Sequence, residues 1–499
     1  MSSFSKPIEP DRLFECLPTS LRPTKSDNGN DGLETDSYRT PTLIPPRVLA
    51  LMNDIAQQLV QSGNQQSCYQ IYRDCRASAL ELSLRKLGLE QLRKVDVQKM
   101  QWEALEAKIG NWIHFMRIAV KLLLPGERQI CNKIFYGVNI NKGHCFAELT
   151  TNSIVSLINF GDAVAMGKRS PEMLFLMLDM YEVMCKLQPE IEIIFEGKPC
   201  SEIRDAALGF TKRMAQTIHT KFTDFEIAVE NDGSKTFCHD GTVHPLTSYV
   251  INYVKFLLDY QSTLELLFEE FETSDAEFKF PAVITRIMQS LQNNLDGKSK
   301  QYKDPALTYL FLMNNIYFMV TKVRRSEVKH ILGDDWIERH HRIVQQNVDQ
   351  YKNVAWAKIL QTLSVQFAGS SGISSATIKE RLKSFNMQFE ELHAKQSQWS
   401  IPDQELRQSL RIAVAEVLLP AYQSFVQLFS ILIENSKNQQ KYIRYSPEAV
   451  DQLLGQFFEG QQSVEEKEAI PGKKADSPYV TSAVKETQRW GEGIPSPIG

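Results

Sequence analysis

No stretch of this sequence is long and apolar enough to cross a bilayer. The longest apolar run, 308–320, is interrupted by Asn314 and Asn315 and falls short of the ~20 residues that a spanning helix needs. The chain also lacks a surplus of either charge. A formal net charge of −4 over 499 residues carries none of the basic excess typical of nucleic-acid binders, so no nucleic-acid partner is expected and any anion binding has to be local. The first residues, MSSFSKPIEPDRLFECLPTS, contain no signal-peptide core and place Ser2 where myristoylation requires glycine, and no prenylation box stands at the other end. A cytoplasmic chain is expected. All 8 cysteines fall irregularly between Cys16 and Cys238, which in a large chain of this kind points to reduced thiols instead of a disulfide framework.

Signatures of catalysis are equally scarce. A phosphate-binding loop needs a glycine five positions before the Gly of its Gly-Lys-Ser, so that consecutive amides wrap the phosphates; Gly297-Lys298-Ser299 has Gln292 at that place and reads as a surface turn between helices. Cys238, His239 and His244 form the best metal-like cluster, yet no second ligand pair at zinc-like spacing accompanies them, so they read as surface-loop residues. His340 and His341 are adjacent, and on a helix they point about 100° apart, a poor arrangement for one ion; both are expected in solvent. Carboxylate pairs such as Glu269-Glu270 and Glu390-Glu391 come with no pocket loop or nucleophile elbow and read as solvated helix faces. Neither an enzyme nor a cofactor is expected.

What the sequence does have is helical periodicity. With 42% hydrophobic and 23% charged residues it can build a sizeable interior, and its length exceeds what one compact core holds. Residues 1–45 are rich in Ser, Thr, Pro, Asp, Asn and Gly and read as a disordered arm. From Val48 onward, helix starts are marked by a small polar residue before proline at Ser170-Pro171, Asp304-Pro305 and Ser446-Pro447. A helix opening at Pro245 places Leu246, Val250, Tyr253, Leu257, Tyr260, Leu264, Leu267 and Phe271 along one seam. Another, after the Gly333 stop and the Asp334 cap, aligns Ile337, Val344, Val348, Tyr351, Ala355, Ile359 and Leu363, with Glu338, Arg339 and His340 largely opposite. A Gly/Ser loop at 368–377 precedes a last helical group. Period-two runs bounded by hairpin turns are almost absent. The expected fold is all-α, an elongated rod of consecutive helical bundles, with helical regions at 46–240, 241–375 and 376–460 and a disordered tail at 461–499.

Two basic clusters stand out in the last region. Lys379, Arg381 and Lys383 crowd the first turns of a helix whose dipole already makes that end positive, an arrangement that favours a nearby anion. Lys441 and Arg444 form a smaller patch before the last helix.

Four stretches, VHPLTSYVINYVKFLLDYQ at 243–261, LFLMNNIYFMVTKVRRSEVKHILGDDWIERH at 310–340, IKERLKSFNMQFEEL at 378–392 and KYIRYSPEAVDQLLGQFFEG at 441–460, resemble the seventy-kilodalton exocyst subunit family, and within it the plant type-A branch. Upstream, QIYRDCRASALELSLRKLG and VQKMQWEALEAKIGNWIHFMRIAVKLLLPGER extend the resemblance to about 46–460. It implies a non-catalytic vesicle tether acting in exocytosis, with other exocyst subunits and Rho-type small GTPases as partners. It also implies binding of phosphatidylinositol 4,5-bisphosphate at the plasma membrane. The family's lipid-binding positions fall here on Lys379, Lys441 and Arg444, to which proximity adds Arg381 and Lys383. The chain departs from the family in having a short polar arm where a long N-terminal coiled coil is usual, and in continuing past Gly460. A soluble helical scaffold without membrane or exocyst association is the alternative reading.

Overall fold

The computed structural model describes residues 43–86, 94–167, 171–234, 236–270, 279–364, 375–432 and 442–460. Nearly all of the expected arm and the whole expected tail lie outside these residues, as do Ser170, Phe271 and Lys441. The helices are α1 Pro46–Gln61, α2 Gln65–Lys86, α3 Lys94–Gln98, α4 Trp102–Ile118, α5 Leu124–Ile134, α6 Lys142–Ala165, α7 Met173–Ile194, α8 Ser201–Glu230, α9 Pro245–Leu258, α10 Gln261–Glu270, α11 Phe280–Ser299, α12 Pro305–Arg324, α13 Val328–Leu363, α14 Ser375–Gln396, α15 Gln404–Leu432 and α16 Pro447–Leu454. Among the described residues the only β pairing is an isolated bridge between Ser400 and Glu459. The fold is all-α. The chain separates into two compact units, Met1–Phe222 and Thr223–Gly499, a division that falls within α8.

In the first unit α4 runs into α5 through a π-helical turn, Ala119–Leu123. The cause is Pro125, which has no N–H to give and whose ring would strike the carbonyl one turn back; the wider π turn absorbs both. Around this continuous rod pack α6 and α7, burying Phe115, Leu122, Phe146, Leu157, Met177 and Met184. The buried Trp112 indole donates to the Leu157 carbonyl at 2.8 Å. Where α6 meets α8, Gly161 leaves room for the Phe210 ring: a β-carbon at 161 would stand 2.3 Å from Phe210 Cζ. The buried Glu127 carboxylate is gripped by Arg76 through two hydrogen bonds; burial raises its pKa by more than the guanidinium lowers it, so it stays above the ordinary value.

In the second unit the caps at Asp304 and Ser446 form as their sequence patterns predict, accepting from Ala306 N–H at 2.9 Å and from Ala449 N–H at 3.2 Å. Gly333, at φ 78°, breaks the start of α13, a conformation that suits glycine. Beyond it Ile337, Val344, Val348, Tyr351, Ile359 and Leu363 are buried as the periodicity requires. The seam from Pro245 is split between α9 and α10 by a turn at Asp259 and Tyr260, while Leu246, Val250, Tyr253, Leu257, Leu264 and Leu267 all remain buried.

Four expectations are overturned. Lys298 is not in a surface turn; it closes α11, is only 8% exposed, and pairs with Asp232 Oδ2 at 3.1 Å. His340 is not solvated either, being stacked on Trp336 at 3.7 Å between ring centroids, with its ring nitrogens facing the Trp336 carbonyl at 2.8 Å and Gln292 Oε1 at 3.2 Å. His244 is a buried N-cap, not a loop residue: its Nδ1 accepts from Leu246 N–H at 3.1 Å, and its own N–H donates to Asn315 Oδ1 at 2.8 Å. The Gly/Ser loop ends earlier than its composition suggests, since 375–377 already belong to α14.

The last helices lie on α13. Trp356 meets Phe389 at 6.5 Å and Phe457 at 5.7 Å, and the Tyr351 hydroxyl donates to Gln396 Oε1. The chain then returns to the same place. Phe458, at φ 64°, donates from its N–H to the Gln396 carbonyl at 3.2 Å and accepts from Ile401 N–H at 3.1 Å.

Candidate anion-binding surface

Helix α14 carries two adjacent stripes. Ile378, Leu382, Phe385 and Phe389, spaced by four, three and four, are buried and set the helix's rotation against its neighbours. One residue further round, at the same spacing, come Lys379, Lys383, Asn386 and Glu390. Every one of these four touches the short segment 442–445.

The Tyr442 ring receives both lysines, with Lys379 Nζ 5.4 Å and Lys383 Nζ 5.7 Å from its centroid. These distances lie within the reach of a cation–π attraction. Asn386 Nδ2 donates to the Tyr442 carbonyl at 3.1 Å and so fixes the ring's height along the helix. Arg444 Nη1 pairs with Glu390 Oε1 at 2.6 Å, and the Tyr445 hydroxyl donates to the same oxygen at 3.0 Å. The segment is held from behind as well. Tyr422, stacked on Phe385 at 4.5 Å, donates from its hydroxyl to the Tyr445 carbonyl at 2.7 Å. Burial raises the Tyr445 pKa, and the neighbouring Glu390 raises it further.

Two of the candidate cations, Lys379 and Lys383, are therefore drawn together on one flank, with Arg444 held at Glu390, about two to three turns along it. Arg381 is not with them: it lies on the other flank and donates to the Ser364 carbonyl at 2.7 Å. Lys441 falls outside the described residues, immediately before Tyr442 in the chain. Sequence reading missed Tyr442, Tyr445 and Glu390. Their only advance signal was the alternation of basic and aromatic residues in KYIRY and one acid among many on α14.

This surface offers the positive charge of Lys379 and Lys383 on the N-terminal half of α14. Among the described residues no group of three or more His, Cys, Asp or Glu side chains is placed to hold a metal ion, and no helix is long and apolar enough to cross a membrane.

The class that the fold defines is an all-α chain of packed helices. The family model for the C-terminal region of the Exo70 exocyst complex subunit matches residues 110–456. Exocyst complex component EXO70A1 of Arabidopsis thaliana is 60% identical over 481 residues, covering 92% of this chain and 75% of the relative. Exocyst complex component EXO70A3 of the same plant is 50% identical over 474 residues, covering 92% and 81%. The chain belongs to the Exo70 family of exocyst subunits, in its plant type-A branch, a family of structural subunits and not of enzymes. The crystal structure of the S. cerevisiae exocyst component Exo70p is similar in fold, with a TM-score of 0.53 at 14% identity, covering 83% of this chain and 81% of that one.

Proposed function

We propose that this chain is a peripheral tether. It works within the exocyst, held by other exocyst subunits and by Rho-type GTPases, and docks secretory vesicles from the cytoplasmic side of the plasma membrane. It grips phosphatidylinositol 4,5-bisphosphate through the basic residues of its last helical region, 376–460, the third of the regions at 46–240, 241–375 and 376–460. The observation that carries this reading is the pair of ammonium groups, Lys379 and Lys383, held over one tyrosine ring beside the KYIRY segment.

Each basic residue close to an anionic bilayer contributes about 1 kcal/mol, so five contribute at most about 5 kcal/mol, and less in salt. Arg381 and Arg444 already have partners within the protein, which lowers that ceiling. Such a grip is weak and reversible alone. An assembly of several tethering chains strengthens it by presenting several such contacts at high effective concentration.

Co-sedimentation with vesicles containing phosphatidylinositol 4,5-bisphosphate tests the reading. The intact chain is expected to bind, to weaken as salt rises, and to lose most of its binding when Lys441→Ala and Arg444→Ala are combined. If neither protein binds, or both bind equally, the scaffold reading without membrane association replaces it.

A further inference from the structure

Glu390 is an acid set in the same flank of α14 as Lys379 and Lys383. An exposed ion pair ordinarily contributes little, and with side chains 62% and 39% exposed Arg444 and Glu390 form such a pair. Two features separate this pair from an ordinary one. The carboxylate oxygen also accepts from Tyr445, so a single oxygen takes two donors from neighbouring residues of one segment. That segment is in turn pinned by Asn386 and Tyr422, which keeps Arg444 in front of Glu390 instead of free in solvent.

A guanidinium so held meets an incoming anion with one nitrogen on Glu390 and its charge partly answered by that carboxylate, so the anion competes with Glu390 for it. A lipid carrying a single net charge offers Arg444 no more than Glu390 does, and leaves the displaced carboxylate facing a negative surface. A headgroup with two phosphate monoesters is different. Each monoester carries about −1.5 to −2 charges near neutral pH and three acceptor oxygens, enough to take Arg444 from the carboxylate while Lys379 and Lys383 share the remaining charge.

We propose that Glu390 sets the charge density a membrane must present before this surface engages it, by holding Arg444 until clustered phosphate monoesters displace the carboxylate. The proposal rests on the phosphoinositide reading above. It makes Glu390 a specificity-determining residue: the acid weakens binding overall, and weakens it most for singly charged lipids.

The test compares the full chain with Glu390→Gln and Glu391→Gln on two sets of vesicles, one with phosphatidylserine and one with phosphatidylinositol 4,5-bisphosphate at matched total charge. Both substitutions change net charge equally, but Glu391 is the exposed neighbour with no part in the contact. Glutamine at 390 keeps an acceptor for Tyr445. Freeing one basic residue near an anionic surface corresponds to about a fivefold gain, so Glu390→Gln is expected to bind phosphatidylserine vesicles about fivefold more tightly. A smaller gain is expected on phosphoinositide vesicles, and Glu391→Gln is expected to change neither by more than about twofold.

Equal effects of the two substitutions, or none from Glu390→Gln while the unmodified chain binds phosphoinositide vesicles, overturn the latch and leave the tether reading standing. Binding by Glu390→Gln where the unmodified chain fails supports the latch in its strongest form. Failure of all three proteins on both vesicle sets overturns the latch and the lipid reading together.

Discussion

The Lys298 ammonium is a buried charge of the second unit. It reaches the Asp232 carbonyl at 3.1 Å, the Asp232 carboxylate, and the Ser234 carbonyl and hydroxyl at 3.4 and 3.3 Å, so every donor direction ends on oxygen. Removing it leaves a carboxylate whose side chain is 3% exposed without its counter-charge, with the Ser234 hydroxyl still donating to it at 2.6 Å. Lys298→Ala is expected to cost about 3–5 kcal/mol in urea unfolding, most of it the penalty of the orphaned acid. Lys298→Met combined with Asp232→Asn is expected to recover a large part. His340 makes a second prediction at this scale. Burial lowers its pKa from the ordinary 6.5, so below that value the unfolded chain binds a proton that the folded chain resists. Its contribution to stability is full above pH 6.5 and lost as the pH falls below it. His244, also buried and lowered, acts with the same sign. Melting temperature is therefore expected to drop between pH 7 and pH 5, and His340→Phe, which retains a ring against Trp336, is expected to flatten that slope in scanning calorimetry.

Between elements, the close approach of α6 and α8 depends on Gly161. Alanine there puts a methyl inside the Phe210 ring edge, and the helices have to part or the ring has to leave its rotamer. A loss of about 1–3 kcal/mol is expected for Gly161→Ala, measurable by denaturant unfolding, and Phe210→Leu on the same background is expected to restore part of it. No periodicity argument marks this glycine, because the pattern along one helix says which face is apolar and not what will press against it. The same limit explains His340 and Lys298. Both sit where a helical wheel shows polar flank, and only the arrival of Gln292 or of the 232–234 segment makes those flanks interior. Where a signal is local it was legible: the caps at Asp304 and Ser446, the Gly333 break, and the buried faces of α9 and α13. The placement of the candidate surface was half legible. Lys379 and Lys383 share a flank by spacing alone, but their meeting with Tyr442 depends on how the chain returns after α15, which no local pattern encodes.

At the scale of the whole chain, the second unit depends on its last residues. Phe457 and Phe458 are each 1% exposed, Arg411 donates to the Phe457 carbonyl, and Phe458 is hydrogen-bonded on both sides. Losing one buried phenylalanine costs about 3–5 kcal/mol, so losing two approaches the entire stability of an ordinary domain, about 5–15 kcal/mol. A chain ended after Leu454 is expected to lose hydrogen-exchange protection across α11 to α15 while α4 to α7 keep theirs. A chain extended to Gly460 is expected to be fully protected in both.

The return of Phe458 to the Gln396 carbonyl also has a consequence for biosynthesis. Translation delivers the first unit's 222 residues early, and they can bury their core while the ribosome is still at work. The second unit has no such freedom. Its Trp356, Phe389 and Tyr351 are made long before the two phenylalanines that cover them, so a growing chain leaves these aromatic side chains uncovered by them until residue 458 has left the ribosome. During that interval they are open to chaperones or to one another on neighbouring ribosomes. A stop codon just before residue 457 releases a protein that carries the candidate surface in its sequence but lacks the two phenylalanines packed against Trp356, Phe389 and Tyr351.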